Sequence, residues 1–200
     1  MSKDHVLIII DVQNDFCPGG KLAVAGGHDI VPLVNRLATE FAHVVLTQDW
    51  HPVGHSSFAS QHQGAQAFTQ IQMAYGPQTL WPDHCIIGSG GAKFHQSLVV
   101  PHAELIIRKG FRKSIDSYSA FFENDHETPT GLGGYLKERG FKAVTCVGLA
   151  FDYCVRYSAE DAKALGFEVS VVEAATRAID FDGSAAATRQ SFQQRGITLR

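Results

Sequence analysis

The stretch VTCVGLAFDYCVRYSAEDAKALG, Val144 to Gly166, opens as an apolar, β-branched run and closes as a helical pattern. A strand handed directly to a helix argues for an α/β domain built around a mostly parallel sheet. Between the two halves a tight turn carries Cys154. A cysteine at the first turn of a helix feels the positive end of the helix dipole and free backbone N–H groups, and both favour thiolate. The same N–H groups can face an oxyanion formed when that thiolate attacks a carbonyl. A buried cysteine packing as a small hydrophobe is the commoner role, so the turn takes its meaning from what the other strands deliver.

The alternation of short apolar runs and helical patterns recurs along the chain. Strands are expected at His5–Ile10, His43–Thr47, Glu104–Arg108, Ala143–Leu149 and Glu168–Val172, with a weak edge strand at Thr198–Arg200. Helices are expected at Asp29–Ala42, Thr130–Arg139, Tyr153–Leu165 and Gly183–Arg195. Gly140, Gly166 and Gly196 each follow a helical pattern, where a left-handed C-terminal glycine belongs, and Pro32 falls in a first turn that tolerates its missing N–H. The expected fold is a three-layer α/β/α sandwich with a mostly parallel central sheet. It forms one domain over residues 1–200, long enough for a sizeable core at 44% hydrophobic and 18% charged residues.

Four of these strands end in groups capable of chemistry: Asp11 after the first, Asp49 and His51 in TQDWHP after the second, Lys109 after the third, and Cys154 after the fourth. In an open parallel sheet the carboxyl ends share one edge, and ligands bind in the crevice outside it. An Asp between a thiol and an ammonium can take the thiol proton and return it to a leaving group. Asp15, just before the CPGG loop, reads as a turn-forming residue. Asp49-x-His51 places two ligands on one side of a locally extended chain, half a site for zinc, manganese or iron. His84 in WPDHC and His55 in HPVGHSSF are the candidates for completing it. The segment from His51 to Val100 shows no clear period, and an aromatic-rich loop of that length is usually functional.

Other classes lack support. With a net charge of −3 and no dense basic run, nucleic-acid binding is not expected. The longest apolar run, Val6 to Ile10, is too short to span a bilayer. MSKDHVLIIID has no signal-peptide pattern, and the four cysteines form no CxxC pair, so a cytoplasmic, reducing location is expected. GSGGAK lacks the spacing of a phosphate loop, and no GxGxxG follows the first strand.

Taken together, DVQNDFCPGG, QDWHP, WPDHC, RKGFRKSIDSYSAF and GLAFDYCV resemble the nicotinamidase/pyrazinamidase family within the isochorismatase-like cysteine hydrolases, in the family's order from Asp11 to Arg177. The resemblance implies a catalytic triad of Asp11, Lys109 and Cys154. It implies one divalent cation, zinc favoured over manganese or iron, on Asp49, His51 and His84, with His55 a further candidate. It implies a cis peptide between Leu149 and Ala150 that would aim the N–H groups of Ala150 and Cys154 at an oxyanion. Phe16, Trp81 and Tyr118 match positions that sandwich a pyridine ring. The implied activity is hydrolysis of nicotinamide to nicotinate and ammonia, and of pyrazinamide to pyrazinoate, in NAD salvage. The implied partner is that small molecule, with a homo-oligomer allowed. The alternatives are a related cysteine amidase acting on a carbamoyl or ureido amide, a vinyl-ether hydrolase that does without the cysteine, and a non-catalytic binding protein on the same fold.

Overall fold

The strands read as unbroken apolar runs because both faces of their sheet are covered. In the computed structural model, which describes residues 3–200, β1 (His5–Ile10) sends Val6, Ile8 and Ile10 into one core cluster and Leu7 and Ile9 into another. Each of these side chains is at most 1% exposed, and burial of each stabilises the fold by about 1.5–3 kcal/mol relative to exposure. The other main-sheet strands are β2 (His43–Asp49), β5 (Leu105–Lys109), β6 (Ala143–Leu149), β7 (Glu168–Arg177) and β8 (Thr198–Leu199). They lie in the order β5-β2-β1-β6-β7-β8, and every pairing is parallel.

Helix α1 (Val31–Ala38) packs on the second core cluster through Val31, Val34 and Ala38. Helices α2 (Leu132–Glu138), α3 (Arg156–Ala164) and α4 (Ser184–Arg195) pack on the first through Leu132, Leu136, Ala159, Ala162, Ala185 and Phe192. The result is the expected three layers. The chain runs outward from β1 through β2 to β5, then returns to β6 on the other side of β1. That reversal makes the carboxyl ends of β1 and β6 the switch point, where open α/β sheets bind ligands. Gly148 serves this junction: its φ is +115°, and a Cβ there would lie 2.0 Å from the Ile10 carbonyl oxygen.

The helices are shorter than the sequence pattern, for local reasons. The N–H and the hydroxyl of Thr39 both donate to the Arg36 carbonyl, which closes α1 early. Thr130 stays outside α2, its hydroxyl donating to Ala120 O and accepting from Leu132 N. Before α3 the chain makes one wide turn over Phe151–Val155, with the Val155 N–H donating to Ala150 O. β7 runs five residues beyond its expected end, through a register shift against β6 between Cys146 and Gly148. Within the long segment lies a two-stranded antiparallel hairpin, β3 (Gln70–Met73) and β4 (Gly76–Thr79), that the sequence pattern did not disclose.

Candidate active site

The four strand tips meet. The Lys109 side chain, fully buried, places Nζ 2.8 Å from Asp11 Oδ2 and 2.7 Å from Asp49 Oδ1. The same ammonium donates to Ser117 O at 2.9 Å and lies 3.4 Å from Cys154 Sγ. Thr47, two residues before Asp49, donates its hydroxyl to Asp11 Oδ1 at 2.6 Å. Asp11, Lys109 and Cys154 thus form one buried cluster, with Asp49 as its fourth member.

Burial pushes the Asp11 carboxyl up, and Lys109 only partly offsets this. Burial acts on Asp49 in the same sense, but Lys109 and His51 overcome it and hold that carboxyl well below its usual value. Burial opposes charge on Lys109, yet the two carboxylates beside it win, and its pKa lies well above the usual lysine value. Burial also drives the Cys154 thiol well above its ordinary range; Lys109 pulls it down, while Asp11 and Asp49 push it further up. The sequence expectation of a thiolate favoured by the helix terminus therefore meets a different local balance. Sulfur sits near one cation and two anions, and burial together with the two carboxylates favours its neutral form.

The expected metal set also converges. Asp49 Oδ2 lies 3.2 Å from His51 Nε2 and 3.4 Å from His84 Nε2, with all three residues buried. His51 Nδ1 faces Gly110 O at 2.9 Å, and His84 Nδ1 faces Pro82 O at 2.8 Å. A carbonyl can only accept, so each Nδ1 carries the proton and each Nε2 lone pair is left for the common focus. This donor set fits a divalent cation, with one carboxylate oxygen and two imidazole nitrogens. Gly110 makes room for it: φ is +65°, and a Cβ would stand 2.5 Å from His51 Cε1. His55 is placed differently. Its Nδ1 pairs with Ser57 and its Nε2 faces the carbonyls of Arg112 and Ile115, so both nitrogens are engaged away from Asp49 and His84. Cys85 turns its sulfur to the Gln13 amide, 3.4 Å away, and Asp15 accepts from the N–H groups of Cys85 and Lys21.

A narrow cleft joins the two groups, lined among others by Asp49, His84, Ala150 and Cys154. Phe16, Trp81 and Tyr118 all line it, as does Tyr153, whose ring meets Trp81 edge-on at 4.8 Å between centroids. The Leu149–Ala150 peptide is cis. Four contributors, Asp116, Gln78, Ile179 and Asp152, were not singled out from sequence. Asp116 lines the cleft, and Gln78 of β4 donates to both Tyr118 Oη and Asp116. Ile179 also forms part of the wall. It is pinned by Asp152, in the turn that carries Cys154, which accepts from Ile179 N, Asp180 N and the Ser184 hydroxyl at 3.0, 2.7 and 2.5 Å. The SIDSYSAF run and the acid inside FDYC were the available signals for Asp116 and Asp152, but neither points to a partner. Asp152→Ala strands three donors at a 1% exposed position, and is expected to lower unfolding stability by about 1–3 kcal/mol in a urea titration. Unchanged stability would show that water replaces the carboxylate.

Comparison with known proteins places this geometry in a family. The isochorismatase domain family matches residues 5–200, and the chain belongs to it. The nicotinamidase of Acinetobacter baylyi is 53% identical over 191 residues, 96% of this chain and 89% of that one. Among solved structures, a nicotinamidase/pyrazinamidase of Acinetobacter baumanii superposes with a TM-score of 0.99 at 52% identity, covering 100% of this chain and 96% of that one. A protein of L. infantum in complex with nicotinate is 37% identical, with a TM-score of 0.87 and coverage of 100% and 94%. The pyrazinamidase of Pyrococcus horikoshii in complex with zinc is 32% identical, with a TM-score of 0.81 and 98% of each chain covered.

Proposed function

We propose that this protein is a nicotinamidase, a metal-assisted cysteine amidohydrolase that converts nicotinamide to nicotinate and ammonia, and pyrazinamide to pyrazinoate. One observation carries the reading. Asp49 is shared between a buried Asp11–Lys109–Cys154 cluster and a His51–His84 pair, so a nucleophile and a cation site face one aromatic cleft. The relatives that bear the same activity in their names, and the L. infantum complex with nicotinate, support the substrate class.

In the proposed reaction the substrate ring enters between Phe16 and Trp81, with Tyr118 at its edge. Asp11 takes the proton of Cys154 Sγ, and Lys109 stabilises the charge distribution as it moves. Sulfur attacks the carboxamide carbon, and the N–H groups of Ala150 and Cys154 receive the oxyanion. The tetrahedral adduct collapses, the C–N bond breaks, and Asp11 returns its proton to the departing ammonia. Asp11 then draws a proton from water, which attacks the thioester; the C–S bond breaks, nicotinate leaves and the thiol is restored. Asp49, His51 and His84 would hold a divalent cation, zinc favoured, which supplies a Lewis acid for a ring nitrogen. The role places the protein in NAD salvage in the cytoplasm, as one domain acting on a small molecule. Among the described residues no helix is long and apolar enough to cross a membrane.

The test is ammonia release from nicotinamide by zinc-loaded and chelator-treated protein, with benzamide, which lacks the ring nitrogen, alongside. Loaded protein is expected to hydrolyse nicotinamide and to lose most of that rate on chelation, with benzamide turned over poorly by both. No ammonia from loaded protein would overturn the substrate. Equal rates on nicotinamide and benzamide would overturn the part given to the cation.

A further inference from the structure

The buried groups around the cleft do not balance in charge without a cation. Asp11, Asp49 and Asp116 are three carboxylates at most 4% exposed; Lys109 touches Asp11 and Asp49, and among the described residues no ammonium pairs with Asp116. Counted as ionised, three carboxylates against one ammonium leave an excess of −2. Uncompensated buried charge is expensive, and a divalent cation removes the excess.

Asp116 is the member of this group that the ligand set leaves out. Its Oδ1 lies 4.0 Å from His51 Nε2, the nitrogen that also faces Asp49. Oδ1 accepts from the Ser117 N–H at 2.8 Å and Oδ2 from Gln78 Nε2 at 3.1 Å. Both partners are neutral, so they orient the carboxylate without cancelling its charge. Gln78 is itself buried on β4 and is fixed in turn by Asn124, which donates to its Oε1 at 3.0 Å. The nearby Arg112 is paired with Glu123.

Donor atoms of His51, His55 and Asp116 also approach one another closely enough to suggest a second cation. The hydrogen bonds argue against it. His51 has one free nitrogen, already turned to Asp49 and His84, and both nitrogens of His55 are engaged. Through its 4.0 Å approach to His51 Nε2, Asp116 stands beside the Asp49, His51 and His84 focus.

We propose that Asp116 is a positioning residue for the cation: an outer carboxylate that supplies the second negative charge holding a divalent ion at Asp49, His51 and His84. The proposal rests on the cation reading given above and extends it to a residue outside the ligand set. Removing an outer partner of a metal site typically weakens affinity by about 10–100-fold.

The experiment measures zinc affinity of metal-free protein by competition with a chromophoric chelator at fixed neutral pH. Wild type, Asp116→Asn, Asp116→Ser and Asp116→Glu are compared, with circular dichroism as the check on folding. The charge-removing variants are expected to bind zinc about 10–100-fold more weakly, and Asp116→Glu, which keeps the charge, to recover most of the loss. Affinity unchanged in Asp116→Asn or Asp116→Ser overturns the proposal. So does an equal loss in Asp116→Glu, or failure of both charge-removing variants to fold, since either marks a carboxylate that serves packing. Those outcomes leave the proposed activity standing. Wild-type protein that binds no zinc overturns this proposal and the cation reading together, and wild-type protein that binds zinc but releases no ammonia overturns only the activity.

Discussion

Cys154→Ala is expected to lower nicotinamide turnover by at least about 10³-fold while leaving zinc content and the circular dichroism spectrum unchanged. The size follows from the proposed reaction, in which the sulfur is the atom that bonds to carbon; removing a nucleophile that acts as a unit with its base leaves only binding and oxyanion contacts to accelerate the reaction. Metal content is expected to survive because Cys154 is not among the residues at the cation focus. Cys154→Ser should be nearly as inactive. The thiol at this position is already pushed up by burial and by Asp11 and Asp49, and the proposed transfer to Asp11 is favoured because burial has raised that carboxyl as well. An alcohol holds its proton far more tightly, so the match between donor and acceptor is lost. The other cysteines do not offer a substitute. Cys17 and Cys146 are pushed up to about 11 and about 12 by burial, and neither they nor Cys85 line the cleft. Alanine-variant protein retaining more than about a tenth of wild-type turnover would mean that another group attacks the carboxamide.

The convergence of Asp11, Asp49, Lys109 and Cys154 was open to sequence reading because it depends on short-range pattern alone. Each follows an apolar run, and parallel strands carry their carboxyl ends to one edge whatever their order. His51 was readable for the same reason, sitting two residues beyond Asp49 on an extended trace. The electrostatic surroundings of Cys154 were not. Local sequence offered a helix terminus, whereas the outcome depends on how many carboxylates the other strands bring within reach of the sulfur. Asp116 and Gln78 were hidden differently. They come from the loop after β5 and from a hairpin inside a segment with no period, and their meeting is fixed by tertiary contact. His55 shows the converse. Its spacing suggested a ligand, but Ser57 and the Arg112 and Ile115 carbonyls take both ring nitrogens, contacts that no local pattern announces. Element ends moved for reasons of single side chains, as with the Thr39 hydroxyl that closes α1.

The effects of Lys109→Met and Asp11→Asn on stability are expected to differ sharply, although both residues belong to one ion pair. Lys109 faces two carboxylates, Asp11 at 2.8 Å and Asp49 at 2.7 Å. Removing it leaves both buried beside each other, and breaking a buried pair from one side costs about 3–5 kcal/mol, a large share of the ~5–15 kcal/mol that holds a domain folded. Removing the charge of Asp11 leaves Lys109 with its second partner, so no buried group is stranded with an unmatched charge. Urea unfolding of metal-free protein at neutral pH should therefore rank wild type and Asp11→Asn close together and Lys109→Met about 3–5 kcal/mol lower. Turnover should not follow that ranking, because Asp11→Asn removes the proposed proton acceptor and is expected to be inactive while stably folded. The split separates the two parts proposed for Lys109 and Asp11 in one cluster: the ammonium neutralises two acids that the sheet brings together, and the carboxylate moves a proton. Equal stability of Lys109→Met and Asp11→Asn would mean that the ammonium is not what lets Asp11 and Asp49 share this interior.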